Sequence, residues 1–388
     1  MNLNEKKLLP SPKRPTQFIL SQPIKLSGML IATSFCSYLH ADTPAGWINS
    51  NITSAYTLNA FDFELTAAAL AVNDTIDFLD ARDELVAGTR SLTGNSGDLS
   101  GQRAEIQFGL GSMFTLFYRQ QSQDLTVKFS PVSSVDLEDF DTELNTTSKA
   151  YGVKWNFYEA GRSGDDSPWS AASLELTKTE SETDDFRSTI SRVQLGTAQI
   201  ALNPAQGIQV DNMEDEGWLA RLIYMLPLSQ NMIASAWGGY SSFEASSGTS
   251  TEIASNAIRS AFEQSFLVDE TQYLMGLSLN WQITPRLPLQ LTYEYIKVDE
   301  RDLEIIRNAS NLILPSFLRQ TNLSDADDNH TLSGSISYWL TPRLHVGLHG
   351  KLLSSQFLGI MPHFNNPLSG SFADTAYGYA GVQIGYRL

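Results

Sequence analysis

Apolar and polar residues alternate strictly along much of this chain. Read backwards from the carboxy terminus of the stretch Asp374 to Leu388, every second residue is apolar: Leu388, Tyr386, Ile384, Val382 and Ala380. Between them sit Arg387, Gly385, Gln383, Gly381 and Tyr379. A period of two predicts a β-strand with one apolar and one polar face. The same pattern predicts eleven strands before it: Phe61 to Ala71, Arg103 to Leu110, Phe114 to Phe129, Ala150 to Tyr158, Trp169 to Thr179, Gly217 to Leu226, Met232 to Phe243, Thr271 to Ile283, Leu287 to Val298, Asn329 to Leu340 and Leu344 to Leu352. Parity shifts at Leu125 to Phe129, which predicts a bulge or break near Gln121 to Asp124. The facing of Met232 to Phe243, rich in Gly and Ala, stays open.

Strands of about ten residues suit a tilted membrane crossing, and an even number suits a bacterial barrel. The connections alternate in length. Val72 to Gln102, Ser130 to Lys149, Glu180 to Glu216, Glu244 to Glu270, Asp299 to Asp328 and Leu353 to Ala373 are long, and most of the links between them are tight. Glu159 to Pro168 is the longer exception on the tight side. Two tight turns are near copies, Trp281-Gln-Ile-Thr-Pro-Arg-Leu287 and Trp339-Leu-Thr-Pro-Arg-Leu344. A three-residue Thr-Pro-Arg loop would keep Ile283 opposite Leu287 and Leu340 opposite Leu344, whereas a two-residue loop would pair opposite faces. A positive φ at Arg286 or Arg343 would be unusual, so a looser turn is the alternative. Tyr158, Trp169, Tyr224, Trp281, Trp339 and Tyr386 fall near this rim and predict an interfacial aromatic girdle.

The terminal strand, with the outward-apolar hairpins before it, resembles the closing strand of Gram-negative outer-membrane β-barrels as a class. It departs from their pattern in ending on Leu388, where an aromatic is commoner. The resemblance implies one all-β fold: a single antiparallel transmembrane barrel of 12 strands, with short periplasmic turns, long outer loops and a place in the bacterial outer membrane. It also implies two contacts, outer-membrane lipid and, through the C-terminal strand, the barrel-assembly machinery.

The amino terminus changes the picture next. Lys6, Lys7, Lys13, Arg14 and Lys25 precede the apolar run Leu26 to Leu39, and Ala41 precedes Asp42. This reads as a signal peptide over residues 1–41, leaving the barrel at 42–388. The only cysteine, Cys36, lies inside it, and the bulky Phe35 before it argues against a lipid anchor. The remainder then has no thiol, as suits an oxidising compartment. The whole chain carries a formal charge of −17, and residues 42–388 retain 21 basic and 42 acidic residues, a net of −21. No basic patch of the nucleic-acid kind is visible. No apolar run after Leu39 is long enough for a membrane helix.

Candidate chemistry lies on the inward faces. They carry Arg103, Arg119, Lys154, Arg221, Lys351 and Arg387 against Asp62, Glu64, Glu105, Glu175 and Glu294, with His345 and His349 on the eleventh strand. In a water-filled lumen such charges set the field felt by a passing solute. In a filled lumen they form a salt-bridged plug. The first reading is a passive or weakly selective channel for small solutes. A second is an outer-membrane lipid hydrolase in which Ser335 and His349, directly opposed in register, act as nucleophile and base. The barrel phospholipase resembles this chain only in class, and its compact His-x-Ser pattern is missing, since Thr331 and Leu332 follow His330. A third is a non-transporting scaffold or surface-binding barrel. No catalytic residue, cofactor or metal site is assigned: His345 and His349 have no carboxylate placed with them. Asp74, Asp77, Asp80, Asp83 and Glu84, like the acidic cluster from Asp136 to Glu143, lack the EF-hand spacing and read as solvated loop faces. Glu252 to Val268 and Leu303 to Phe317 carry apolar stripes at helical spacing, suited to packing loops together or folding one inward.

Overall fold

The computed structural model describes residues 54–72, 96–128, 135–138, 141–161, 168–195, 198–252, 259, 263–307, 328–353 and 377–388. The strands are β1 (Phe63–Val72), β2 (Ser96–Gly109), β3 (Phe114–Lys128), β4 (Val135–Glu138), β5 (Asp141–Ala160), β6 (Ser170–Thr183) and β7 (Phe186–Leu195). They continue with β8 (Ala198–Ser229), β9 (Met232–Thr251), β10 (Gln264–Thr284), β11 (Leu287–Arg307), β12 (Asp328–Trp339), β13 (Leu344–Leu353) and β14 (Tyr377–Arg387). Twelve of them close an antiparallel ring in the order β8-β6-β5-β3-β2-β1-β14-β13-β12-β11-β10-β9, with β9 back on β8. The terminal strand pairs with the first, Glu64 opposite Arg387 and Ala71 opposite Ala380, so neither keeps a free edge there. The two additional strands extend the sheet: β7 pairs with the first part of β8, and β4 with β7.

Alternation holds around the ring. On β10, Tyr273, Met275, Leu277 and Trp281 are exposed while Gln272, Gly276 and Ser278 are buried. The exposed set is a continuous apolar belt, with Leu277, Val382 and Leu348 each at about 60% exposure. Aromatic rows edge the belt. Tyr158, Tyr224 and Trp281 lie towards the tight turns, and Tyr240 and Tyr273, 5.5 Å apart, lie towards the long connections. Eight residues separate Tyr273 from Trp281, ~27 Å along a strand.

Several expectations are corrected. Trp169 and Trp339 belong to the interior, at 6% and 3% exposure, and not to the outer girdle. β3 keeps one register against β5 through Gln121 to Asp124, so there is no bulge there; the irregularity lies against β2, between Ser96 and Leu99. The facing of β9 is settled, with Ile233, Ser235, Trp237 and Ser241 inward. Phe266, Leu303 and Ile306 stand in β10 and β11, with Phe266 opposite Ile305 and Val268 opposite Leu303. Continued cross-strand pairing overrides the helical spacing there. The long connections are correspondingly shorter, because β5, β6, β8, β9 and β11 run on into them and β4 and β7 lie within them. The acidic repeat Asp74 to Glu84 and the segment 1–41 lie outside the described residues.

The twin turns share a register and differ in detail. Leu340 donates to the Leu344 carbonyl at 2.9 Å, which makes Thr341-Pro342-Arg343 the three-residue loop expected. In the other turn Thr284 pairs with Leu287, and a shift at Ile283 restores parity before Gln282 meets Pro288. A two-residue connection is therefore allowed by one bulged residue. Neither arginine has a positive φ. The threonine hydroxyl substitutes for it: Thr341 Oγ1 accepts from the amides of Arg343 (3.2 Å) and Leu344 (3.0 Å), and Thr284 Oγ1 accepts from Arg286 (3.4 Å).

Candidate functional site: the barrel interior

The tight-turn end of the interior is filled by a segment that strand periodicity does not reveal. Residues 54–58 are all buried. Tyr56 stacks on Trp169 with centroids 4.3 Å apart, and its hydroxyl donates to the Trp169 carbonyl at 2.7 Å. The Leu58 amide donates to Thr115 Oγ1 at 2.8 Å, and Thr57 Oγ1 donates to the Ser112 carbonyl at 2.9 Å. Every such bond satisfies a polar group that burial would otherwise leave stranded. Ala55, Tyr56 and Leu58 form one apolar cluster with inward Trp169, Ala171, Ile223, Met225, Ile233 and Trp237. Gly109 makes room for the entering chain: a Cβ there would lie 1.9 Å from the Asn59 carbonyl oxygen. The longer connection after β5 precedes buried Pro168 and Trp169, which lie under this segment.

Above the cluster, register aligns charges. Lys154, Glu175 and Arg221 sit in one row across β5, β6 and β8. Glu175 is 0% exposed and accepts from Arg221 at 2.5 Å, with Lys154 Nζ 3.7 Å away. Arg221 also approaches Glu294 (3.9 Å), which accepts from Trp237 Nε1 at 3.3 Å. Lys154 Nζ donates to the Ser54 carbonyl at 2.7 Å, joining the inserted segment to the network. Other inward pairs are Arg119–Glu105 (3.1 Å), Arg387–Glu64 (2.8 Å) and Arg301–Glu270 (2.5 Å). Charges removed from water persist only with such partners. Glu270 and Arg301 are inward residues in stretches that pattern alone assigns to loops; the parity of Gln272, carried one pleat further, turns Glu270 inward.

The other residues named from sequence stand apart. Asp62 lies in the turn before β1 and accepts from Asn59 Nδ2 at 3.2 Å. Arg103, His349 and Lys351 face inward and are half-buried. His345 is 2% exposed beneath Trp339, with ring centroids 4.7 Å apart, and its ring covers Gly385, where a Cβ would fall 2.0 Å from Nε2. Ser335 does pair with His349 in register. Neither ring nitrogen of His349 has a hydrogen-bond partner among the described residues, so the serine–base contact that nucleophilic catalysis needs is not made.

On the outer side β8 and β9 rise past the upper aromatic row. A cavity of about 370 Å³ there is lined by Lys149, Glu180, Glu182, Glu214, Asp215 and Glu244, among others. Burial pushes the Asp215 carboxyl up to about 8, partly opposed by the neighbouring Ser181 hydroxyl. Glu180 is held below the usual range, first by the Tyr151 hydroxyl and then by Lys178.

No protein-family model and no curated protein matches the chain. Among solved structures it is similar to the translocator domain of the autotransporter NalP from Neisseria meningitidis, with a TM-score of 0.48 and 9% identity over 85% of this chain and 90% of that one. It is also similar to the toluene transporter TbuX of Ralstonia pickettii (TM-score 0.39, 11% identity, 89% and 92% covered) and to the porin NanC (0.37, 6%, 84% and 100%).

Proposed function

We propose that this protein is an outer-membrane barrel that passes small solutes, drawn in the structure with its tight-turn end shut. The apolar belt between two aromatic rows is the surface expected to face lipid. Residues 1–41 act as its export signal, and the terminal strand, already paired with β1, is the natural handle for assembly. The observation that carries the channel reading is the uneven filling of the interior. At the tight-turn end most inward side chains are buried. Further out, on the wall from β12 to β2, Arg103, Ser333, Ser335 and Lys351 keep partial exposure among the buried side chains of Leu70, Thr331, Tyr379 and Gln383. A barrel serving only as a scaffold has no need of partly exposed inward cations above a separate inserted segment.

Passage then requires residues 54–60 to move. They are bonded chiefly to the β3, β5, β6 and β8 side, through Thr115, Lys154, Trp169 and Met225. Planar-bilayer recording of the purified full-length chain tests this. Tyr56→Ala removes the stack on Trp169 and is expected to raise the open fraction, whereas Leu58→Cys with Thr115→Cys, oxidised, is expected to hold the pore shut until reduced. Absence of current in both the native chain and Tyr56→Ala would refute the channel reading.

A further inference from the structure

The charges facing the interior do not cancel, and the surplus falls on one wall. Each inward glutamate of the described barrel has a cation within reach: Glu64 has Arg387, Glu105 has Arg119, Glu175 has Arg221 and Lys154, Glu270 has Arg301, and Glu294 has Arg221 at 3.9 Å. Arg103 on β2 and Lys351 on β13 are left without an ion-pair partner among the described residues. Both are half-buried, in contrast to Lys154 at 5% and Arg221 at 3% exposure.

Their placement matters as much as their charge. Arg103, Ala68, Gln383 and Gly347 form one row across β2, β1, β14 and β13. In the next row outward stand Leu70, Gly381 and His349, with Ser335 opposite His349; beyond it Lys351 pairs with Ser333 and Tyr379. Gly347 lies under Ser337 Oγ and Gly381 under the His349 ring in these rows, and no inward carboxylate stands between the two unneutralised cations. The inward Asp215 lies on β8, outside this wall.

On this wall we propose that the lumen favours small anions, carboxylate-bearing solutes among them, with Arg103 and Lys351 as the specificity-determining residues. The inference rests on the channel reading and adds the sign of the solute. Narrow, low-dielectric walls focus the field of a few fixed charges, so two free cations outweigh an acidic exterior that salt screens. An arginine fork also matches a carboxylate in geometry as well as charge.

Reversal potentials in a potassium chloride gradient, measured on the full-length chain and on Tyr56→Ala, test it. A shift towards the chloride equilibrium potential is expected. Arg103→Gln and Lys351→Gln should each reduce it, and the double variant should abolish it. Replacing chloride by acetate should leave the sign unchanged. Current with no anion preference, or with cation preference, overturns this inference and leaves the channel reading intact. Anion preference that survives the double variant overturns the residue assignment. No current from either protein overturns the channel reading and this inference together.

Discussion

Two walls of the same barrel use the same alphabet to opposite ends. The wall of β5, β6 and β8 presents Lys154, Glu175 and Arg221 in one row, all buried, with the inserted segment 54–58 against it. Above its own paired row, Glu64 with Arg387, the wall from β12 through β14 to β2 presents Arg103, His349 and Lys351, half-buried and in separate rows. Strand by strand the two patterns are indistinguishable, a charged residue on an inward position. The difference lies in which rows coincide. Charges in one row neutralise each other and can be dried; charges in separate rows stay solvated and keep their field. At this level one wall is paired and dry, and the other is unpaired and partly exposed.

That contrast can be broken most forcefully at Glu175. Glu175→Gln leaves Lys154 and Arg221 buried without their shared carboxylate and should cost about 3–5 kcal/mol, read as a lower unfolding midpoint of the detergent-solubilised barrel. Ser335→Ala on the opposite wall should move the same midpoint by no more than about 0.5 kcal/mol, and equal losses at the two sites would remove the distinction. A smaller effect is expected at the rim, where Thr341→Ala deletes the hydroxyl accepting from Arg343 and Leu344; about 0.5–1.5 kcal/mol should be lost. The smallest concerns pH. Asp215 is protonated below about 8 and gains its charge as pH rises through that value. It pairs with Ser181 and Ala245 on the inward face, while Glu180, Glu182, Glu214, Glu216 and Glu244 alternate outward, so its ionisation adds a negative charge to the barrel interior. Anion preference should fall modestly above pH 8 in the native chain and stay flat over that range in Asp215→Asn.

Much of the fold was legible because alternation is a local property. The twelve strands, the facing of all but β9, and the opposition of Ser335 to His349 follow from period two and from the parity of tight turns. The same logic placed Lys154, Glu175 and Arg221 inward. It failed where the interior is not polar. Trp169 and Trp339 sit near the rim as girdle residues do, yet the parity of Ser173 and Ser337 turns both inward, where Tyr56 and His345 lie beside them. It failed also at strand ends. Phe266 and Ile306 mimic a helical stripe, yet each lies beside a partner strand long enough to continue the ladder.

By itself, then, the sequence determined the wall: which residues alternate, where the chain turns, and that one face is apolar throughout. Those outcomes depend on neighbours one or two residues away. The tertiary structure alone decided what fills the wall, because the contacts involved join residues far apart in the chain, Ser54 with Lys154 and Glu64 with Arg387. Whether a charge is neutralised is a property of the shear between strands, and a periodic pattern carries no record of shear.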